Sequence, residues 1–329
     1  MTRLEPVDRA LLEQIQAEFP LVPQPFAAQG EALGLDENDV LARVRRLKGE
    51  GIIRQIGAIF DTQRLGYRST LVAFHVGDGR VEDVASRISA HPGVSHNYVR
   101  PHHYNLWFTL AVPPGQKTED ELSRLAQQTR VDDWLNLPAL RVFKIRTHFS
   151  LDEDGVQTTD TRPQVKAPSR DLAPTDIPFI RALQQDLPLV PRPFAKIAER
   201  LGLSEEELLD KARELAGTGI MRRFSAVLRH RRIGYTANGM VCWVVPESQI
   251  AEVGRVAAGY SQVSHCYQRP AYPPDWPYTL FTMVHGQTRA EVESVVAEIA
   301  RETGLDRYTV LYSTREYKKE RVRYFEEET

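Results

Sequence analysis

The sequence predicts an α+β protein in which one unit, a group of helices followed by strands and helices in the order βαββαβ, occurs twice. Three matches carry this reading. LVPQPF at Leu21 returns as LVPRPF at Leu189, 168 positions on; Gly66-Tyr67 returns as Gly234-Tyr235 at the same spacing; VSHNYVRP from Val94 returns as VSHCYQRP from Val263, 169 positions on. Self-similarity held in register over so long a period marks a duplicated domain pair rather than a solenoid, whose repeats are far shorter.

The first copy opens with Asp8 placed to cap a helix that carries Leu11, Leu12 and Ile15 on one face; PLVPQPF breaks it, and a helix near 26–33 follows. Asp36 caps the next helix, VLARVRRLKGEG, whose Val40, Val44 and Leu47 recur at spacings of four and three. Its counterpart in the second copy is headed by Ser204 with Glu207, a capping-box pair. This is a helix-turn-helix pattern, and in each copy it runs into an extended segment, IIRQIGAIF or IMRRFSAVL. Beyond it, the first copy predicts a strand at 67–76, a helix at 80–90, strands at 94–100 and 104–112, a helix at 118–130 and a last strand at 139–147. The second predicts the same order at 235–245, 248–258, 262–269, 277–284, 288–302 and 308–316.

That order is the ferredoxin-like arrangement, with helices over one face of an antiparallel sheet and the other face free to meet a second sheet. The expected domains are a helix-turn-helix domain at 1–62, a ferredoxin-like domain at 63–149, a linker at 150–172, a second helix-turn-helix domain at 173–230 and a second ferredoxin-like domain at 231–329. The linker is rich in Asp, Thr, Pro and Ser and nearly free of apolar periodicity. The two copies are expected to form an intrachain pseudo-dimer.

Composition narrows the chemistry. With 42 basic and 44 acidic residues and a net charge of −2, the chain has no global field for nucleic acid or an anionic membrane. No apolar run approaches the roughly 20 residues a membrane span needs, and MTRLEPVDRA lacks the apolar core of a secretory signal, so the cytoplasm is the expected address. Cys242 and Cys266 form neither a disulfide framework nor a CxxC motif and are read as structural thiols.

The segment VSHNYVRPHHYNLWF, 94–108, concentrates the candidate chemistry. Strict alternation along a strand puts Val94, His96, Tyr98 and Arg100 on one face and Ser95, Asn97 and Val99 on the other; the second copy repeats the row as Val263, His265, Tyr267 and Arg269. At about 3.3 Å per residue, successive row members stand roughly 6.6 Å apart. An imidazole, a phenol and a guanidinium at that pitch suit a large, flat, polyanionic ligand: Tyr for ring contact, Arg for bidentate carboxylate pairing, His for proton transfer or iron ligation. The bland alternative is a pair of rows hydrogen-bonded across a contact between sheets. His102 and His103 follow Pro101 in an expected hairpin, where at most one points inward, and His75 and His285 are read as structural. No His, Cys and carboxylate set has metal-site spacing. Tyr104, Trp107, Phe108 and Trp276 supply aromatic surface, and Arg54, Arg222, Arg223, Arg229, Arg231 and Arg232 border the extended segments as a second source of carboxylate recognition.

A helix-turn-helix followed by βαββαβ resembles the Lrp/AsnC family of transcription regulators. The LVPxPF insertion, the Gly-Tyr pair, the VSHxYxRP strand and the FTMVHGQ or FTLAVPPGQ stretch are more specifically similar to siroheme decarboxylases, in the fused form associated with haem d1 synthesis. The resemblance covers both copies and leaves out the linker. It implies a carboxy-lyase that removes acetate carboxyl groups from siroheme to give didecarboxysiroheme on the route to haem d1 or haem. His96 or His265 would donate the proton, and Arg100 and Arg269 would hold carboxylates that stay. The substrate-binding set would add Tyr98, His102, His103, Tyr104, Trp107, Tyr267, Trp276, Arg54, Arg222 and Arg223. It implies no cofactor beyond the iron in the substrate, siroheme as ligand, and a homologous decarboxylase subunit or a second copy as protein partner; charge balance and the absence of a long apolar run add the expectation of neither DNA nor membrane. The alternative is a ligand-responsive DNA-binding regulator, against which stand the acids that head both recognition helices, Asp36, Glu37 and Asp39 in one and Glu205, Glu206, Glu207 and Asp210 in the other.

Overall fold

The computed structural model describes residues 4–145, 170–228 and 237–326. The expected linker lies almost wholly outside the described residues, as do Arg229, Arg231 and Arg232. The first copy contains helices α1 (Pro6–Ala17), α2 (Pro25–Leu33) and α3 (Glu37–Gly49), then β1 (Ile53–Phe60), β2 (Arg68–Phe74), α4 (Val81–Ala90), β3 (Val94–Val99), β4 (Leu106–Val112), α5 (Thr118–Thr129), β5 (Trp134–Pro138) and β6 (Arg141–Ile145). The second contains α6 (Ile177–Leu183), α7 (Pro193–Leu201), α8 (Glu205–Gly217), β7 (Met221–Leu228), β8 (Ala237–Trp243), α9 (Ile250–Gly259), β9 (Val263–Gln268), β10 (Leu280–Gly286), α10 (Arg289–Thr303), β11 (Tyr308–Tyr312) and β12 (Arg315–Lys319).

The described residues fall into two compact units, each drawing on both copies. One holds the helix-turn-helix segments and a two-stranded antiparallel ribbon of β1 with β7. The repeated LVPxPF motif anchors it: the second proline of each copy is the first residue of α2 or α7, where a missing N–H costs nothing, and Phe26 and Phe194 are fully buried. Reciprocal hydrogen bonds tie the copies, Phe19 N–H to the Phe224 carbonyl and Leu187 N–H to the Ile56 carbonyl, both at 2.8 Å. Asp36 and Ser204 cap α3 and α8 as the sequence predicts, Ser204 through a complete capping box with Glu207.

Asp8 does not cap α1. The helix begins at Pro6 after an extended Glu5, and Asp8 lies buried in the first turn with Arg43 at 2.8 Å and Arg46 at 2.5 Å. Burial alone would raise its carboxyl, but the hydrogen bonds and charges of the two arginines outweigh that and hold it below the usual carboxylate range. The second copy repeats the device: buried Asp176 accepts from Arg170 and pairs with Lys211 at 2.8 Å, with the same net lowering against burial. The basic residues of α3 are therefore engaged within the unit. Arg43 and Arg46 hold Asp8, Lys48 pairs with Asp186, and Arg45 donates to the Leu189 carbonyl.

The other unit holds two five-stranded antiparallel sheets, ordered β12-β3-β4-β2-β5 and β11-β8-β10-β9-β6. In each, four strands have the expected ferredoxin-like order and the fifth comes from the opposite copy. The last strand predicted at 139–147 is not the fourth strand of the first sheet: that place is taken by β5, at 134–138 against β2, and the predicted segment is β6, which crosses to pair with β9. The strand predicted at 308–316 divides into β11, beside β8, and β12, which pairs with β3. The exchange covers the backbone edges that β3 and β9 would otherwise present, a standing hazard for intermolecular pairing.

Helices α4 and α5 pack one face of the first sheet through Val72, Phe74, Val84, Ile88, Leu106, Phe108 and Leu110; α9 and α10 do the same for the second through Val241, Trp243, Val253, Val263, Cys266 and Ile299. The opposite faces meet in a third core of Ala73, Tyr104, Trp107, Leu135, Leu137, Met240, Cys242, Trp276, Phe281 and Leu311. Both thiols are buried, Cys242 in this seam and Cys266 under α9; burial pushes both up, Cys266 to about 12. Neither is expected to react with iodoacetamide in the native protein, and both to react in denaturant, as intact-mass counting would show.

Candidate active site

The two polar rows lie on β3 and β9, but their geometry departs from strict alternation. Each strand carries a bulge at its serine: Val94 faces Leu110 and His96 faces Thr109 on β4, and correspondingly Val263 faces Val284 and His265 faces Met283 on β10. One extra residue reverses the side chains that precede it. Val94 and Val263 therefore belong to the helix-facing cores, with Asn97 donating to the Ala85 carbonyl of α4 and Cys266 packed beneath α9. His96, Tyr98 and Arg100 keep one face, as do His265, Tyr267 and Arg269. Ring centroids of His96 and Tyr98 stand 6.1 Å apart and those of His265 and Tyr267 5.9 Å, and each guanidinium lies near its tyrosine ring, at 5.6 Å in the first copy and 4.8 Å in the second.

The arginines are reciprocal. Arg100, only 5% exposed, donates to the Leu311 carbonyl of β11, and Arg269, partly buried, donates to the Leu137 carbonyl of β5. Burial pushes both guanidiniums down to about 10, so they stay cationic at neutral pH. Neither has a carboxylate partner among the described residues, and Nε of each is buried without an acceptor. A desolvated cation of this kind costs several kcal/mol unless an anion compensates it. One edge of each guanidinium thus closes the seam between sheets, as the bland alternative requires.

The aromatic residues divide differently from expectation. Tyr104, Trp107 and Trp276 are core residues of the seam, with Trp107 and Trp276 ring centroids 5.3 Å apart; Phe108 faces the helices and cannot line the same surface. His102 turns inward, edge-on to Trp276 at 5.4 Å, and burial, with His103 nearby, lowers it. His103 turns outward, stacked on His75 at 4.0 Å and bonded to Asp133 at 2.8 Å. Arg54, Arg222 and Arg223 belong to the helix-turn-helix unit, on or beside the ribbon, where exposed Arg222 pairs with Asp61 at 3.1 Å. Among the described residues no cluster of three His, Cys, Asp or Glu could hold a metal ion, and no helix is long and apolar enough to cross a membrane.

The copies differ where the exchanged strands flank the rows. In the first copy, β12 sets Glu316 opposite Tyr98 and Lys319 opposite His96. In the second, β6 sets Val142 opposite Tyr267 and Ile145 opposite His265, and these two are 45% and 46% exposed. An apolar, accessible strip thus borders the second row and a charged one the first. The sequence could not show this, since it depends on which strand crosses. A second difference lies behind the histidines. Ser264 Oγ is 2.7 Å from His265 Nδ1 and 2.6 Å from His285 Nε2, and His285 Nδ1 meets Asn238 Oδ1. In the first copy Ser95 meets His96 at 2.9 Å, and the positions matching His285 and Asn238 hold Ala111 and Ser69, likewise paired across the ladder.

Comparisons with known proteins agree with this architecture. The family model for the AsnC-like ligand binding domain matches residues 64–144 and 232–318, and that for the siroheme decarboxylase NirDL-like HTH domain matches 8–54 and 176–222. A siroheme decarboxylase of Hydrogenobacter thermophilus is 44% identical over 97% of this chain and 95% of its own length. The crystal structure of the siroheme decarboxylase NirDL in co-complex with an iron-uroporphyrin III analogue superposes with a TM-score of 0.74 at 41% identity, covering 96% of this chain and 93% of that one. The siroheme decarboxylase beta subunit of Methanosarcina barkeri is 46% identical and matches only 45% of this chain while covering 97% of its own, about one copy of the duplicated unit. The chain, a fusion of two such units, belongs to the siroheme decarboxylase family.

Proposed function

We propose that the protein removes acetate carboxyl groups from siroheme, giving didecarboxysiroheme for haem d1 or haem synthesis in the cytoplasm, and that the His265, Tyr267 and Arg269 row is the principal wall of its site. The observation that carries this is a row holding an imidazole, a phenol and a partly buried guanidinium without a carboxylate partner among the described residues, beside the half-exposed apolar pair Val142 and Ile145. A tetrapyrrole needs both, apolar surface for its ring and cations for its carboxylates. Similarity to siroheme decarboxylases, one of them in complex with an iron-uroporphyrin III analogue, supports the substrate class.

In each step the bond between the acetate methylene and its carboxylate breaks. The electron pair stays with the methylene carbon, conjugated with the macrocycle, and one proton forms the new C–H bond as carbon dioxide leaves. No electrons are exchanged with another reactant, so the chemistry calls for no organic cofactor, and the iron arrives with the substrate. The chain's task is to orient, desolvate and protonate. A guanidinium paired with the departing carboxylate would stabilise the ground state more than the transition state, so Arg100 and Arg269 hold carboxylates that stay. An imidazole of the row delivers the proton. His265 is pushed down to about 4 by burial, with Arg269 adding to the effect, and is neutral at pH 7 in the free protein; a polycarboxylate beside it raises it again.

Anaerobic incubation with siroheme, followed by product mass, is expected to show successive losses of carbon dioxide and one bound tetrapyrrole per chain; binding without mass loss would overturn the enzymatic reading. Arg269→Met is expected to raise KM for siroheme about 10–100-fold, as loss of one charge-assisted contact worth roughly 1.5–3 kcal/mol implies, with kcat nearly unchanged. A fall in kcat with KM unchanged would mean that the guanidinium acts on the leaving group instead.

A further inference from the structure

The second copy contains a hydrogen-bonded chain that the first lacks, and it reaches the imidazole placed against the ligand. His265 Nδ1, Ser264 Oγ, His285 Nε2 and Asn238 Oδ1 follow one another, with His285 and Asn238 directly opposite across the β10–β8 ladder. Ser264 is 3% exposed and serves both imidazoles only because the bulge at Ser264 brings it to their side of the sheet. Nε2 of His265 has no hydrogen-bond partner among the described residues.

The chemistry of the four groups fixes where the protons sit. The Asn238 oxygen can only accept, so Nδ1 of His285 carries the hydrogen and Nε2 of a neutral His285 carries the lone pair. The Ser264 hydroxyl, having one hydrogen, donates it to that lone pair. It then offers only acceptor capacity to His265, whose Nδ1 must be the protonated nitrogen. We infer that His285 and Asn238 are positioning residues that act through Ser264 to keep a proton on His265 Nδ1, so that every proton exchanged with the ligand passes through Nε2. The orienting group of a catalytic triad does this for its histidine: it selects the tautomer and lets the far nitrogen take up and give back the proton. Ser95 meets His96 likewise, but Ala111 stands where the second copy has His285, so no second imidazole fixes the direction in which that serine donates. The inference deepens the decarboxylase reading, since it makes His265 the row histidine prepared for proton transfer.

The test reads the tautomer directly and needs no ligand. Long-range proton–nitrogen correlation spectra of the full chain, labelled with ¹⁵N-histidine and recorded at pH 8, where imidazoles of ordinary pKa are neutral, are expected to show His265 protonated at Nδ1 and bare at Nε2. His265→Ala identifies its signals by their loss. His285→Ala, and independently Asn238→Leu, are expected to remove the preference and give mixed tautomers at His265 while His96 is unchanged. Two variants are used so that one that fails to fold leaves the other to decide. In turnover with siroheme, His285→Ala is expected to lower kcat about 10–100-fold, the usual cost of removing an outer-shell orienting group, with KM unchanged. A wild-type His265 protonated at Nε2, or a tautomer unmoved in the folded variants, overturns the inference. Absence of decarboxylation with the tautomer as described would instead overturn the function proposed above.

Discussion

Replacing both row histidines, His96→Ala with His265→Ala, is expected to cut carbon dioxide release from siroheme about 10²–10⁴-fold, the usual worth of a positioned general acid, while leaving the circular dichroism spectrum unchanged. The fold should tolerate the change. Both side chains are only partly buried and belong to none of the three hydrophobic cores. Of the single variants, His265→Ala is expected to account for most of the loss, because its row has the apolar flank and the orienting chain. His96→Ala should cost much less. Turnover undiminished in the double variant would exclude histidine acid catalysis at these rows, and a larger loss from His96→Ala would transfer the site to the first copy.

The largest loss of stability is expected from Asp176→Asn. Asp176 is fully buried and faces two cations, Arg170 and Lys211; neutralising it leaves both of them to the half-exposed Glu214 alone, and breaking a buried pair costs about 3–5 kcal/mol. The partners' partial exposure puts the expected value at the low end of that range. In the thermal unfolding of the helix-turn-helix unit this corresponds to a fall in Tm of roughly 10 °C. The same carboxyl makes stability depend on pH with a definite sign. Its folded pKa, like that of Asp8, lies below the unfolded value of about 3.9, so its contribution is complete above about pH 5 and is lost as the pH falls through 4 toward the folded value. Stability of the wild type should therefore drop more steeply between about pH 5 and 3 than that of Asp176→Asn, and parallel slopes in urea titrations would show that the ion pairs contribute little.

Much of this protein is determined by local pattern and repetition. The period of 168 established the duplication, and capping by Asp36 and Ser204 and the helical spacing that follows established the helix-turn-helix segments. The polar face of His96, Tyr98 and Arg100 with its repeat was legible because alternation holds after the bulge, and the quoted motifs carried the family resemblance. What failed was non-local. Alternation placed Val94 with the row because a one-residue bulge leaves no mark in composition, and the stretch 134–145 gave no sign that its second part leaves one sheet for the other, since either pairing satisfies the same backbone groups. Trp107 and Trp276 suited a ligand wall equally well until packing put them in the seam. Tertiary structure alone decided that the two rows are unequal. Strand exchange gives one an apolar flank and the other a charged one, and only packing of β8 against β10 sets Asn238 behind His285 and, through Ser264, behind His265. Sequence records which residues are present at each period, whereas the pairing of distant strands determines which of them share a proton.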